Sequence, residues 1–242
     1  MDVYKHYIKY IVGMLAVIAI GFVLIVQIRN RSEETMKYTP VTNKTVILDA
    51  GHGGIDPGAM NKDQTILEKE VNLSITMKLR ELIESSGGLV ILTREDDSSL
   101  YEEGDKTIRQ KYQENLNNRK KIIKESAADM FVSIHLNAFA QSQYFGAQTF
   151  YPEGKDDSKK LAKYVQDELK RVVDKTNNRV IKSKDDMYLL KDNEIPSMLI
   201  ECGFLSNEKE SKLLNDEEYQ EKIAWAIFVG IQKYMGEDVS GN

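Results

Sequence analysis

Two histidines stand where strand-like runs end. His52 follows VILDAG and His135 follows MFVSI, both apolar enough for buried strands. In open α/β sheets, ligands bind in the crevice beyond the carboxyl ends of the strands, so two imidazoles placed there can converge on one metal ion. The remaining histidine, His6, precedes a long apolar run, and the single cysteine, Cys202, excludes a multi-cysteine site. A metal must then be held by histidine and carboxylate. Catalytic zinc takes three protein ligands and keeps one position open. Glu68 and Glu70 both open the helical pattern after the His52 loop, and spacing leaves the choice between them open. Either also suits a solvated first helical turn.

His52 lies in Gly51-His52-Gly53-Gly54. A phosphate-cradling loop would run straight into a helix, whereas Ile55-Asp56-Pro57-Gly58 is turn chemistry. Taken alone, this segment is better explained as a histidine capping a loop than as a ligand. Glu201 ends the apolar run Ser197-Met198-Leu199-Ile200, where an acid is disfavoured unless something holds it. A general base acting beside a metal ion accounts for it. The competing account is an ion pair with Arg94 or Arg119. Cys202 alternates to the opposite face and reads as a small buried hydrophobe, since no further histidine is available to activate it.

The elements that must position these groups alternate. Thr45–Leu48, Leu89–Thr93, Met130–Ile134, Ala147–Tyr151, Met187–Leu190 and Ser197–Ile200 read as strands. Glu68–Ser86, Ile108–Ala127, Ser158–Val173 and Glu217–Tyr234 read as helices, with Val71, Ile75, Leu79 and Ile83 at helical spacing in the first. The expected fold is a single α/β domain with a mostly parallel or mixed central sheet flanked by helices.

Composition is ordinary for a globular chain of 242 residues, 41% hydrophobic and 29% charged. The net charge of −5 argues against a nucleic-acid partner. From Tyr10 to Ile28 nineteen residues carry no charge. As a helix they span roughly 28 Å, about the hydrocarbon core of a bilayer. No small-residue cleavage site follows, so an uncleaved transmembrane helix is expected. Lys5 and Lys9 before the run nearly balance Arg29 and Arg31 after it, so charge leaves the orientation open. The expected organisation is a short cytoplasmic segment 1–9, an anchor 10–28, a tether 29–43, a catalytic domain 44–236 and a flexible tail 237–242.

The ordered segments LDAGHGGIDPGA, LEKEVNL, Thr93-Arg94, SIHLNA and LIECGFLSN resemble the motifs of the zinc-dependent N-acetylmuramoyl-L-alanine amidases. The resemblance covers about residues 44–235 and is greatest to the short, membrane-anchored sporulation members. It implies Zn²⁺ held by His52, Glu68 and His135, with Glu201 catalytic. Asn137 and Arg94 match other recurring positions, for substrate or structure. Position 202 often carries a small or hydroxyl residue in such enzymes, so Cys202 is a mild departure. The implied reaction is hydrolysis of the amide between N-acetylmuramic acid and L-alanine, in spore-cortex maturation that enables germination. The implied partners are the peptidoglycan glycan strand with its stem peptides, the membrane through residues 10–28, and an accessory protein of unknown identity. The substrate lies outside the cytoplasm, which places the domain outside. A zinc deacetylase would rely on aspartate–histidine ligand sets, which these motifs do not fit. A silent or partner-activated wall-binding module is the alternative from another class.

Overall fold

The computed structural model describes residues 7, 13–27, 39–102 and 104–240. Residues 13–27 are helical. The expected anchor extends past them, and its residues 10–12 and 28 lie outside the described residues, as do 29–38 of the tether and 241–242 of the tail. Among the described residues no helix is long and apolar enough to cross a membrane. The chain divides into two compact units, Met1–Thr39 and Pro40–Asn242. The second begins before residue 44 because Val41 is buried in its core and its N–H donates to Gln232 Oε1 at 3.0 Å.

The second unit is a single α/β domain around a mixed six-stranded sheet ordered β2-β1-β3-β6-β4-β5. The strands are β1 (Thr45–Ala50), β2 (Leu89–Leu92), β3 (Met130–Asn137), β4 (Gln148–Tyr151), β5 (Lys182–Ser183) and β6 (Ser197–Phe204). The helices are α1 (Glu68–Ser85), α2 (Ile108–Glu125), α3 (Asp156–Glu168, continued by a π turn to Val173), α4 (Glu208–Leu214) and α5 (Glu217–Ser240). The pairs β1–β2, β1–β3, β3–β6 and β4–β5 are parallel, while β4–β6 is antiparallel.

Strand alternation sorts the core onto two faces. Val46, Leu48, Val132, Ile134, Met198 and Ile200 pack under α1, α3 and α5. Ile47 and Phe131, with Leu199 against them, face α2 through Ile123. So α1 and α2, which carry the chain from β1 to β2 and from β2 to β3, lie on opposite faces. That reversal opens a crevice between the carboxyl ends of β1 and β3, the position expected of a ligand site.

The structure differs from the sequence reading in several elements, the short strand β5 among them. Met187–Leu190 is not a strand but a succession of turns. Leu190 fills the smaller core, and the Lys120 ammonium donates to the carbonyls of Leu189 and Lys191 and to Asn193 Oδ1. Helix α4 was not expected, although Asn207 caps it by accepting from the N–H groups of Lys209 and Glu210. Helix α5 runs past residue 236 to Ser240.

Candidate functional site

His52 follows β1, His135 lies in β3, and Glu68 is the first residue of α1. Parallel pairing sets Ala50 beside Ile134, so the β1 exit and His135 are neighbours. The two imidazole rings meet edge-on, centroids 5.0 Å apart at 79°. One ligand atom from each of His52, Glu68 and His135 falls within 4.8 Å of the others. Glu68 is 3% exposed, His52 26% and His135 19%, an arrangement sealed beneath and open above. Glu70, the other candidate from spacing, is exposed to solvent.

Glu68 is held from several sides. Its Oε1 accepts from Leu136 N–H at 2.9 Å and lies 3.0 Å from His135 Nδ1 and 3.2 Å from His52 Nε2, while Oε2 accepts from Ala59 N–H at 2.7 Å. Asn72, one turn on in α1, donates to Gly51 O and Glu68 Oε1. Burial would raise the Glu68 pKa, but the bonds to both imidazoles hold the carboxyl well below the usual carboxylate range. Burial would likewise lower that of His52, yet its bonds to Asp56 and Glu68 carry it up to about 10.

The His52 turn is built to present the ring. His52 itself adopts φ 63°, costly for a non-glycine residue and tolerated where surrounding structure enforces it. Arg119 enforces it by donating to Asp49 Oδ1, Ala50 O and His52 O. Arg94 adds bonds to Ala50 O, Gly51 O, Lys69 O and Asp96 O. Gly51 is required for space, because a Cβ there would stand 2.3 Å from the His135 ring. His52 Nδ1 lies 2.8 Å from Asp56 Oδ2, which leaves Nε2 directed at Glu68.

Glu201, in β6, pairs across the sheet with His135. It makes no ion pair with Arg94 or Arg119, both of which are spent on the His52 turn and its neighbours. Its Oε2 is buried and has no hydrogen-bond partner among the described residues. Burial pushes this carboxyl up, Glu68 adds to the push and His135 opposes it. Cys202 is fully buried on the other face, and burial pushes its thiol well above the ordinary value. Asn137 ends β3 beside Phe204, and among the described residues its side chain makes no hydrogen bond. Sequence reading did not single out Asp56, Asn72 or Asp49. Asp56 sits in what reads only as a turn, and nothing in the spacing joins it to the His52 ring.

Two imidazoles and a carboxylate converging at a switch point, with an unpaired buried carboxylate beside them, form the kind of centre on which hydrolases are built. The chain belongs to the N-acetylmuramoyl-L-alanine amidase family, whose model matches residues 46–233. The germination-specific N-acetylmuramoyl-L-alanine amidase of Bacillus subtilis is 38% identical over 230 residues, covering 95% of this chain and 96% of its own. The solved CwlD amidase from Clostridioides difficile, in complex with the GerS lipoprotein, is 76% identical with a TM-score of 0.81, covering 81% of this chain and 100% of that one. An N-acetylmuramoyl-L-alanine amidase from Clostridium difficile 630 is 33% identical with a TM-score of 0.69, covering 81% of this chain and 98% of that one.

Proposed function

We propose that this chain is a zinc-dependent amidase that hydrolyses the bond between N-acetylmuramic acid and L-alanine in peptidoglycan and serves germination. The observation that carries the reading is the convergence of His52, Glu68 and His135 within 4.8 Å. Two imidazoles and one carboxylate are a zinc donor set that leaves a position open. Bound there, zinc supplies Lewis-acid polarisation of the scissile carbonyl. His52 Nε2, Glu68 and His135 would hold it, and Asp56 fixes the ring of His52 through Nδ1, the carboxylate–histidine pairing common around such ions. Glu201 takes the proton of the attacking water and returns it to the departing alanine amine. The Asn137 amide, uncommitted within the chain, orients the substrate, and Arg94 acts by holding the His52 turn.

The nineteen uncharged residues 10–28 support an anchor, and the peptidoglycan substrate supports an extracytoplasmic domain. Likeness to an amidase solved with a lipoprotein supports a lipoprotein as the accessory partner. A silent wall-binding module is disfavoured, because a site without chemistry has no need of an unpaired buried carboxylate beside its ligands.

Digestion of peptidoglycan by the zinc-loaded protein, followed by mass spectrometry, tests the reaction. Free stem peptides and peptide-free muramic acid are expected. Products cut only between sugars, or within the stem peptide, would overturn it. Asp56→Ala is expected to weaken zinc binding by about 10–100-fold, measured by competition with a chelator. Parent-level affinity would remove Asp56 from the site.

A further inference from the structure

The loop that leaves β3 exposes three aromatic rings. Phe139 is 46% exposed, Tyr144 41% and Phe145 45%. Single exposed apolar residues need no explanation, but a cluster on one pinned loop does. Phe139 N–H donates to Ser206 Oγ, Ser142 O accepts from Asn207, and Phe145 O accepts from Arg179. The two oxygens of Glu210 accept from Gly146 N–H at 2.8 Å and Phe204 N–H at 2.9 Å, tying the loop to the end of β6. Phe139 and Tyr144 form one ledge over Phe204, and Phe145 borders the same cleft as Tyr144. Phe139 meets Tyr144 and Phe204 edge-on, each at 5.3 Å, and the Arg179 guanidinium lies 4.3 Å from the Phe204 ring centre.

The ledge lies at the carboxyl ends of the strands that carry His135 and Glu201. Phe139 is four residues past His135, Phe204 is three past Glu201, and Asn137 and Phe204 are paired across β3 and β6. A polymer cut at Glu201 must run over neighbouring surface on both sides of the scissile bond. Beside Tyr144 and Phe145 lies a cleft of about 290 Å³ fringed by Gln143, Thr176, Asn178 and Arg179. Its fringe is amide and hydroxyl, and its one cation is already bonded to Phe145 O and Gln148 Oε1. An apolar floor of edge-on rings, bordered by amide and hydroxyl groups and one guanidinium, matches a ring bearing hydroxyl and N-acetyl groups. The exposed lysines Lys62 and Lys212 border a different cleft, and Lys209 lines both that one and a further cleft that Phe145 also borders.

We propose that Phe139, Tyr144 and Phe145 form a subsite for an N-acetylated sugar of the glycan strand, adjoining the muramoyl group whose amide is cut. This rests on the amidase reading for its occupant. The probe is a peptide-free oligomer of N-acetylglucosamine, which has no scissile bond, so binding is read apart from hydrolysis. The full chain in detergent is titrated with it by calorimetry. Tyr144→Ala/Phe145→Ala, which spares the Phe139–Phe204 packing, is expected to weaken binding roughly tenfold or more with melting temperature at the parent value. Should that variant fold poorly, hydrogen exchange of the parent decides, with protection of residues 138–146 on adding the oligomer expected. A parent that does not bind the oligomer, or a folded variant that binds it equally, overturns the subsite, and so does absent protection. Loss of affinity for a protein partner with sugar binding intact makes the ledge a protein-docking surface and also overturns it. A parent that binds the oligomer but releases no stem peptide sinks the amidase reading instead.

Discussion

Glu201→Gln is expected to slow release of stem peptides by about 10²–10⁴-fold while zinc content stays at the parent level. The two readouts separate a proton carrier from a ligand. The converging donor atoms belong to His52, Glu68 and His135, so an ion bound by them would keep its holders when Glu201 changes. Glutamine has nearly the same shape, and among the described residues no hydrogen bond to Glu201 Oε2 exists to be broken. What disappears is the capacity to accept a proton. Burial, which pushes the Glu201 carboxyl up, makes it a stronger base than an exposed glutamate. Parent-level turnover in the variant would show that another group takes the proton. A loss of zinc in step with activity would make Glu201 a ligand and redraw the site.

The parts of this site legible in the sequence are those set by strand ends. His52, His135 and Glu201 each follow or close an apolar run, and parallel strands bring such positions to one edge of the sheet. Glu68 against Glu70 was not decidable from spacing, because the two differ only in which way the first turn of α1 faces. Burial of Glu68 against Leu136 and Ala59 decides it in three dimensions. Arg94 and Arg119 were legible as cations available to neutralise Glu201. Their actual acceptors are mostly backbone carbonyls of the β1 exit, and carbonyl acceptors leave no mark on a sequence. The same blindness explains Met187–Leu190. An apolar run reads as a strand by composition, yet here its carbonyls are taken by the Lys120 ammonium and not by a neighbouring strand.

The largest stability effect is expected at Asp49, which no motif argument needs. It is fully buried and accepts from Arg119 Nη1 at 2.6 Å, Thr93 Oγ1 at 2.7 Å and Ser133 Oγ at 2.6 Å. Burial alone would raise its pKa, but the Arg119 charge and the two hydroxyls hold it down to about 2. Asp49→Asn leaves the buried guanidinium without its counter-charge, a loss of about 3–5 kcal/mol. For a chain of this size that lowers the melting temperature by roughly 6–20 °C. The sign of the pH dependence follows from the depressed pKa. The ionised Asp49 contributes fully above the unfolded carboxyl's value near 3.9, and the contribution fades as pH falls towards about 2. The gap between parent and variant, measured by calorimetry, should therefore narrow from pH 5 to pH 2. A gap that is absent at neutral pH or constant with pH would refute the buried-pair account. Adding Arg119→Met removes the orphaned charge and should restore part of the lost stability. It should lower zinc affinity, because Arg119 also holds the carbonyls of Ala50 and His52, which fix the turn that aims the His52 ring. Recovery of stability together with loss of metal binding would divide the two duties of one guanidinium, neutralising Asp49 and positioning the site.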